Sequence, residues 1–160
     1  MPLEGRLTWA IRASFLDYIA ALSDGRAVLS DGARVTPGEG IVFPVRDADV
    51  SGGVGRVSTR GAVRFFGHGG ALDIRIADPE LELGDSSGSI TVESPAGPSV
   101  IARFALVARP TAAEMRWLAH DVGLTEAGAD LFSRVYRPGE PLDPFTVTMS
   151  ADTVAHRFLP

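Results

Sequence analysis

Ala62-Val63-Arg64-Phe65-Phe66-Gly67-His68-Gly69-Gly70-Ala71-Leu72-Asp73-Ile74-Arg75-Ile76 decides the architecture. Leu72, Ile74 and Ile76 alternate with Asp73 and Arg75, which puts the apolar side chains on one face of a strand and the charges on the other. Residues 61–66 form a second, aromatic strand just before it. Between the two lies a lone histidine framed by Gly67, Gly69 and Gly70. Strand interiors avoid glycine, which costs entropy and offers nothing to pack. Glycines around one imidazole therefore point either to a tight turn that carries a histidine or to backbone brought close to another group. Imidazole is also suited to coordinate a metal, or to orient a group that does.

Outward from this hairpin, the chain from Arg26 to Arg109 keeps a texture of short alternating segments broken by glycine and proline. Candidate strands are 41–45, 81–83, 89–93 and 99–108, with a turn over Gly84–Gly88. Pro44 in the first of these implies an edge or a bulge. Residues 7–22, LTWAIRASFLDYIAAL, carry Leu7, Ile11, Phe15, Tyr18 and Leu22 at three- and four-residue spacing, and predict a helix ended by Ser23-Asp24-Gly25. Thr111-Ala112-Ala113-Glu114 has the form of a capping box and predicts a short helix to about Val122. Thr125–Val135 predicts another, and 145–150 a closing strand. The expected fold is mainly β with a few short helices (α+β), an antiparallel sandwich or partly open barrel, in one domain over 1–160.

Composition narrows the function. The 160 residues suffice to bury a core without staples, and 45% apolar with 22% charged is a globular balance. A formal net charge of −5 argues against a nucleic-acid partner. All 15 basic residues are arginine, which can pair bidentately with carboxylates, including those of a ligand. The absence of cysteine excludes thiolate metal sites and cysteine nucleophiles. No apolar run has the length of a membrane span, and the first residues do not resemble a signal peptide. An intracellular protein and a domain of an exported one both fit. Phosphate-binding glycine loops, GxSxG and HExxH are missing, and Asp78, Glu80 and Glu82 read as a solvated face.

Two tyrosines stand beside the histidine as candidates. Tyr18 lies within the apolar stripe of 7–22, where a buried phenol must find a partner. Phenolate is a hard anionic ligand for ferric iron and a known axial ligand of haem; a histidine bonded to it would favour the anion. Tyr136 leads into Arg137-Pro138-Gly139-Glu140-Pro141-Leu142-Asp143-Pro144, a loop stiffened by three prolines. Phe15, Ile11 and Leu22 flank Tyr18 as either slot walls or ordinary core. His120, on the expected 111–122 helix, and His156, in the tail, lack a partner motif.

These segments resemble the HtaA domain of actinobacterial haem-uptake proteins. LTWAIRASFLDYI (7–19) is similar to the family's opening, FFGHGGALDIRIADPEL (65–81) to its GHxG core, and YRPGEPLDPFTVTM (136–149) to its LDP end. Arg12 stands where the family often has lysine, and Val135 where glycine or an aromatic residue often precedes the tyrosine. The resemblance implies one bound haem b (ferric protoporphyrin IX), with Tyr18 on the N-terminal helix as axial ligand to the metal. It further implies that His68 hydrogen-bonds Tyr18 and that Tyr136 contributes to binding. Gly67 and Gly69 would let the His68 loop approach. The implied role is capture and transfer of haem, with another haem-uptake protein as donor or acceptor, no membrane insertion and no enzyme activity. A haem-dependent enzyme acting on peroxide or degrading haem is the alternative, as is an interaction domain that binds no haem.

Overall fold

The structure, a computed structural model, describes residues 4–150; Met1-Pro2-Leu3 and His156 lie outside the described residues. Eight antiparallel strands close into a barrel. In chain order they are β1 (Gly5–Trp9), β4 (Gly40–Ser51), β5 (Val54–Thr59), β8 (Glu80–Leu83), β9 (Ser87–Ser94), β10 (Gly97–Pro110), β11 (Glu114–Leu124) and β12 (Phe145–Ser150). Closure comes from β1, which pairs with β12 on one side and β4 on the other. A short β3 (Arg34–Thr36) adds to β4 beyond the ring. The expected sandwich or partly open barrel is thus a closed barrel, and closure leaves the ring itself without free edges.

Buried and outward residues alternate over β1, β8 and most of β11, as a half-buried strand requires, while β4, β10 and β12 have runs of consecutive buried residues. Leu7, Trp9, Phe43, Val57, Leu81, Ile90, Trp117 and Val147 are all fully buried. Phe145 meets Trp9 at 5.5 Å and Phe104 at 4.9 Å between ring centroids. Pro44 sits just before a register shift between Val45 and Asp47, in keeping with the bulge its ring implies.

The hairpin of the opening sequence is an excursion from this barrel. Strands β6 (Ala62–Gly67) and β7 (Leu72–Ala77) leave between the paired β5 and β8, and join β2 (Arg26–Ser30) in a separate three-stranded sheet. Gly61 and Asp78 tie its base: the Gly61 N–H donates to the Asp78 carboxylate at 3.0 Å, and the Asp78 N–H to the Gly61 carbonyl at 2.8 Å. No helix among the described residues is long and apolar enough to cross a membrane.

Two expected helices are corrected. The segment 7–22 is strand β1 followed by helix α1 (Ala13–Ala21). Leu7 and Trp9 both point into the barrel, a two-residue period that overrode the three- and four-residue spacing. Ile11 then takes φ 64°, which no α-helix accommodates and which a β-branched residue rarely adopts. Asp143 holds this corner: its N–H donates to the Ile11 carbonyl at 2.8 Å, and its carboxylate accepts the Ala13 N–H at 3.1 Å.

The expected helix over 111–122 is instead a turn and strand β11. Thr111 Oγ1 accepts the amides of Ala113 and Glu114, as a cap would, but the Thr111 N–H bonds the Glu114 carbonyl and closes a hairpin. The Glu114 carboxylate reaches Arg116 rather than back to Thr111. His120 is accordingly on a strand, exposed on the outer barrel face beside Asp121. The third helix, α2 (Glu126–Leu131), is shorter than expected. Thr125 caps it by accepting the Gly128 N–H at 3.0 Å, and left-handed Ser133 and Arg134 follow it.

Candidate functional site

Helix α1 lies on the inner face of the small sheet with Phe15 and Ile19 buried. Phe15 is the hub: its ring meets Phe65 of β6 at 5.0 Å, Phe132 after α2 at 5.5 Å and Tyr136 at 6.3 Å, all edge-on. Beside this cluster opens a cleft of about 540 Å³. Ser14, Phe15 and Tyr18 of α1 line one side; His68, Ala71, Leu72 and Ile74 line the second; Phe132, Ser133, Val135 and Tyr136 line the third. The lining is mostly apolar, and the volume falls within the ordinary range of small-molecule sites.

Tyr18 is not buried in a stripe, as its spacing suggested, but 43% exposed at the cleft. The helix begins only at Ala13, so the core stripe passes through Phe15 and Ile19 and leaves Tyr18 to one side. Its hydroxyl is hydrogen-bonded to His68 Nε2.

His68 reaches it from a single helical turn, His68–Gly70, between β6 and β7. Three successive residues there are left-handed, with φ of 52°, 65° and 96°. Glycines 69 and 70 take this freely, whereas His68 bears a cost of about 1–2 kcal/mol. Asp24 supports it: the carboxylate accepts the Gly69 N–H at 2.7 Å and the His68 N–H at 3.2 Å. The Gly69 hydrogen bond, followed by that of His68, holds the Asp24 carboxyl below the usual carboxylate range. Gly67 acts differently. It is extended, and a β-carbon there would sit 2.7 Å from Leu22 Cδ1, so the bare position admits the end of α1 onto β6.

Tyr136 is half-buried, with the Arg12 guanidinium 4.2 Å from its ring centre. Burial pushes its phenol above the ordinary value of 10.0; Arg12 opposes this, while Glu140 and Tyr18 add smaller upward pushes. Arg12 is itself held by Glu140 at 2.8 Å. The proline-rich loop is fixed by backbone: the Gly139 and Leu142 amides bond the carbonyls of Leu124 and Val122 at 2.7 and 2.8 Å.

Of the residues singled out in the sequence, Tyr18, His68, Tyr136 and Phe15 share the cleft. Ile11, Leu22, Gly67 and Gly69 are not on its wall: Ile11 is fully buried under the α1 corner, Gly69 shapes the histidine turn, and Gly67 makes room for Leu22. Sequence reasoning missed Asp24, hidden in what read as a helix stop, and the wall from Leu72, Ile74, Phe132 and Val135. Among the described residues no group of three or more His, Asp or Glu could hold a bare metal ion. Glu80 and Glu82 flank Arg56 at 3.0 and 2.9 Å on an exposed face, away from the cleft.

The HtaA family model matches residues 4–148. The chain belongs to the HtaA family. The C-terminal domain of HtaA from Corynebacterium glutamicum superposes with a TM-score of 0.84 at 24% identity, over 93% of this chain and 97% of that one. The N-terminal domain of the same protein gives 0.79 at 26% identity, over 94% and 98%. The heme-binding protein HtaB from C. glutamicum gives 0.70 at 19%, over 93% of each, a likeness of fold. No curated protein matches the sequence. On this HtaA fold, the three segments 7–19, 65–81 and 136–149 converge on one cleft despite their separation in sequence.

Proposed function

We propose that this domain binds ferric haem b in the cleft, with Tyr18 as the axial ligand, and passes it to another haem-uptake protein. One observation carries the reading: the Tyr18 hydroxyl stands at the mouth of an apolar cleft, hydrogen-bonded to His68 Nε2. A porphyrin brings its own four nitrogen ligands and asks the protein for an apolar slot and one strong donor. Phe15, Leu72, Ile74 and Phe132 supply the apolar wall, and Tyr18 the donor.

The Tyr18–His68 bond supplies the proton chemistry. With ferric iron held by Tyr18, the phenol would give up its proton, and a hydrogen bond donated by His68 Nε2–H would stabilise the resulting anion. A hard phenolate prefers Fe(III) to Fe(II), which suits carriage. Tyr136, under Arg12 and against Phe15 and Phe132, closes the third side. His120 lies on the outer barrel face, so His68 is the imidazole at the cleft among the described residues, and its Nε2 is engaged by Tyr18.

Hemin added to the purified domain is expected to give a high-spin ferric tyrosinate spectrum. Tyr18→Ala should abolish it, and His68→Ala should weaken affinity about 10- to 100-fold, as loss of a partner to a metal ligand does. An unchanged spectrum in Tyr18→Ala would remove the ligand assignment. Peroxide added to the same sample tests carriage against catalysis: turnover without bleaching would favour an enzyme.

A further inference from the structure

The residue that accepts the backbone amides of the histidine turn lies outside all three family-like segments. Asp24 follows α1, and its two carboxylate oxygens take the amides of His68 and Gly69, one each. Successive amides in a turn of this kind form a concave pair that favours an anion. Neither hydrogen bond goes to the imidazole; both go to the backbone that aims it. The need is specific, because His68 has a β-carbon and yet holds φ 52°. In a more ordinary backbone conformation its ring would leave from a different direction, and the Tyr18 hydroxyl would lose its partner. Asp24 and Tyr18 are also joined by the end of α1, where the Leu22 N–H bonds the Tyr18 carbonyl at 3.2 Å. One short stretch of chain therefore holds both the candidate ligand and the anchor of the histidine that supports it.

We propose that Asp24 is a positioning residue of the haem site, acting only through His68: its carboxylate sets the His68–Gly69 backbone so that Nε2 meets the Tyr18 hydroxyl. The consequence for haem rests on the function proposed above; the geometric claim does not.

The test has an arm without haem and an arm with it. In the haem-free protein, hydrogen exchange of the His68 and Gly69 amides should accelerate in Asp24→Ala, with Asp24→Asn intermediate because it keeps one acceptor oxygen. Ultraviolet titration in a Tyr136→Phe background, which leaves one phenol, should show the Tyr18 midpoint of Asp24→Ala moving to that of His68→Ala. In hemin titrations, Asp24→Ala should lose about tenfold in affinity, and the double variant Asp24→Ala/His68→Ala should match His68→Ala alone. A further loss in the double variant would show that Asp24 acts on the fold at large and overturn the proposal. So would amide exchange and a phenol midpoint identical to wild type. If the wild type takes up no hemin through Tyr18, the haem reading fails, while the exchange and phenol titrations still decide the role of Asp24.

Discussion

At the residue scale, the arrangement around Arg12 shows how single charges shape the far wall of the cleft. Arg12 covers the Tyr136 ring and donates to Glu140, whose other oxygen accepts the Arg137 N–H at 3.1 Å. Arg12, then the Arg137 amide, hold the Glu140 carboxyl below its ordinary value of 4.5. A carboxyl depressed in the folded state stabilises the protein above the ordinary carboxylate range and ceases to do so as pH falls through its lowered value. Thermal unfolding should therefore show wild type more stable than Glu140→Gln at neutral pH, with the gap closing in acid. A gap that persists below pH ~3 would assign the loss to packing rather than charge. The pair is partly exposed, so the effect should be modest and should shrink with added salt.

At the element scale, α1 and the small sheet form the unit that carries Tyr18 and His68. Gly67 is where they touch, with Leu22 occupying the space of the missing side chain. Gly67→Ala is expected to cost about 1–3 kcal/mol, the usual penalty of overpacking. Leu22→Ala in the same background should recover part of it, which urea unfolding can measure as non-additivity. The sequence showed both strands of this sheet that flank the histidine, because Leu72-Asp73-Ile74-Arg75-Ile76 alternates without interruption. It did not show the boundary inside 7–22. Leu7, Ile11 and Phe15 satisfy a helical spacing, and Leu7 and Trp9 equally satisfy a strand; only pairing with β12 and β4 decides between them. The same ambiguity turned 111–122 from helix to strand. Thr111 makes cap-like hydrogen bonds in either case, and β10 lies alongside to receive the ladder.

At the scale of the whole molecule, the barrel is a frame from which the hairpin carrying His68 projects between β5 and β8. Its stability should depend on the large inward side chains. Trp117 is fully buried, with its indole N–H donating to the Gly53 carbonyl at 3.1 Å. Trp117→Ala should cost about 3–5 kcal/mol in chemical denaturation. If the frame and the cleft are separable, hemin affinity should change far less than stability while the variant stays folded. What the sequence determined by itself was the β character of the chain, the histidine turn, and the candidates Tyr18, His68 and Tyr136, since alternation, glycine and chemically distinctive side chains are local properties. Tertiary structure alone decided that the barrel closes, that Tyr18 faces a cleft rather than the core, and that Asp24 anchors the histidine backbone. Those outcomes depend on contacts between residues such as Asp24 and Gly69, 45 positions apart, and no local pattern encodes which distant amide a carboxylate will meet.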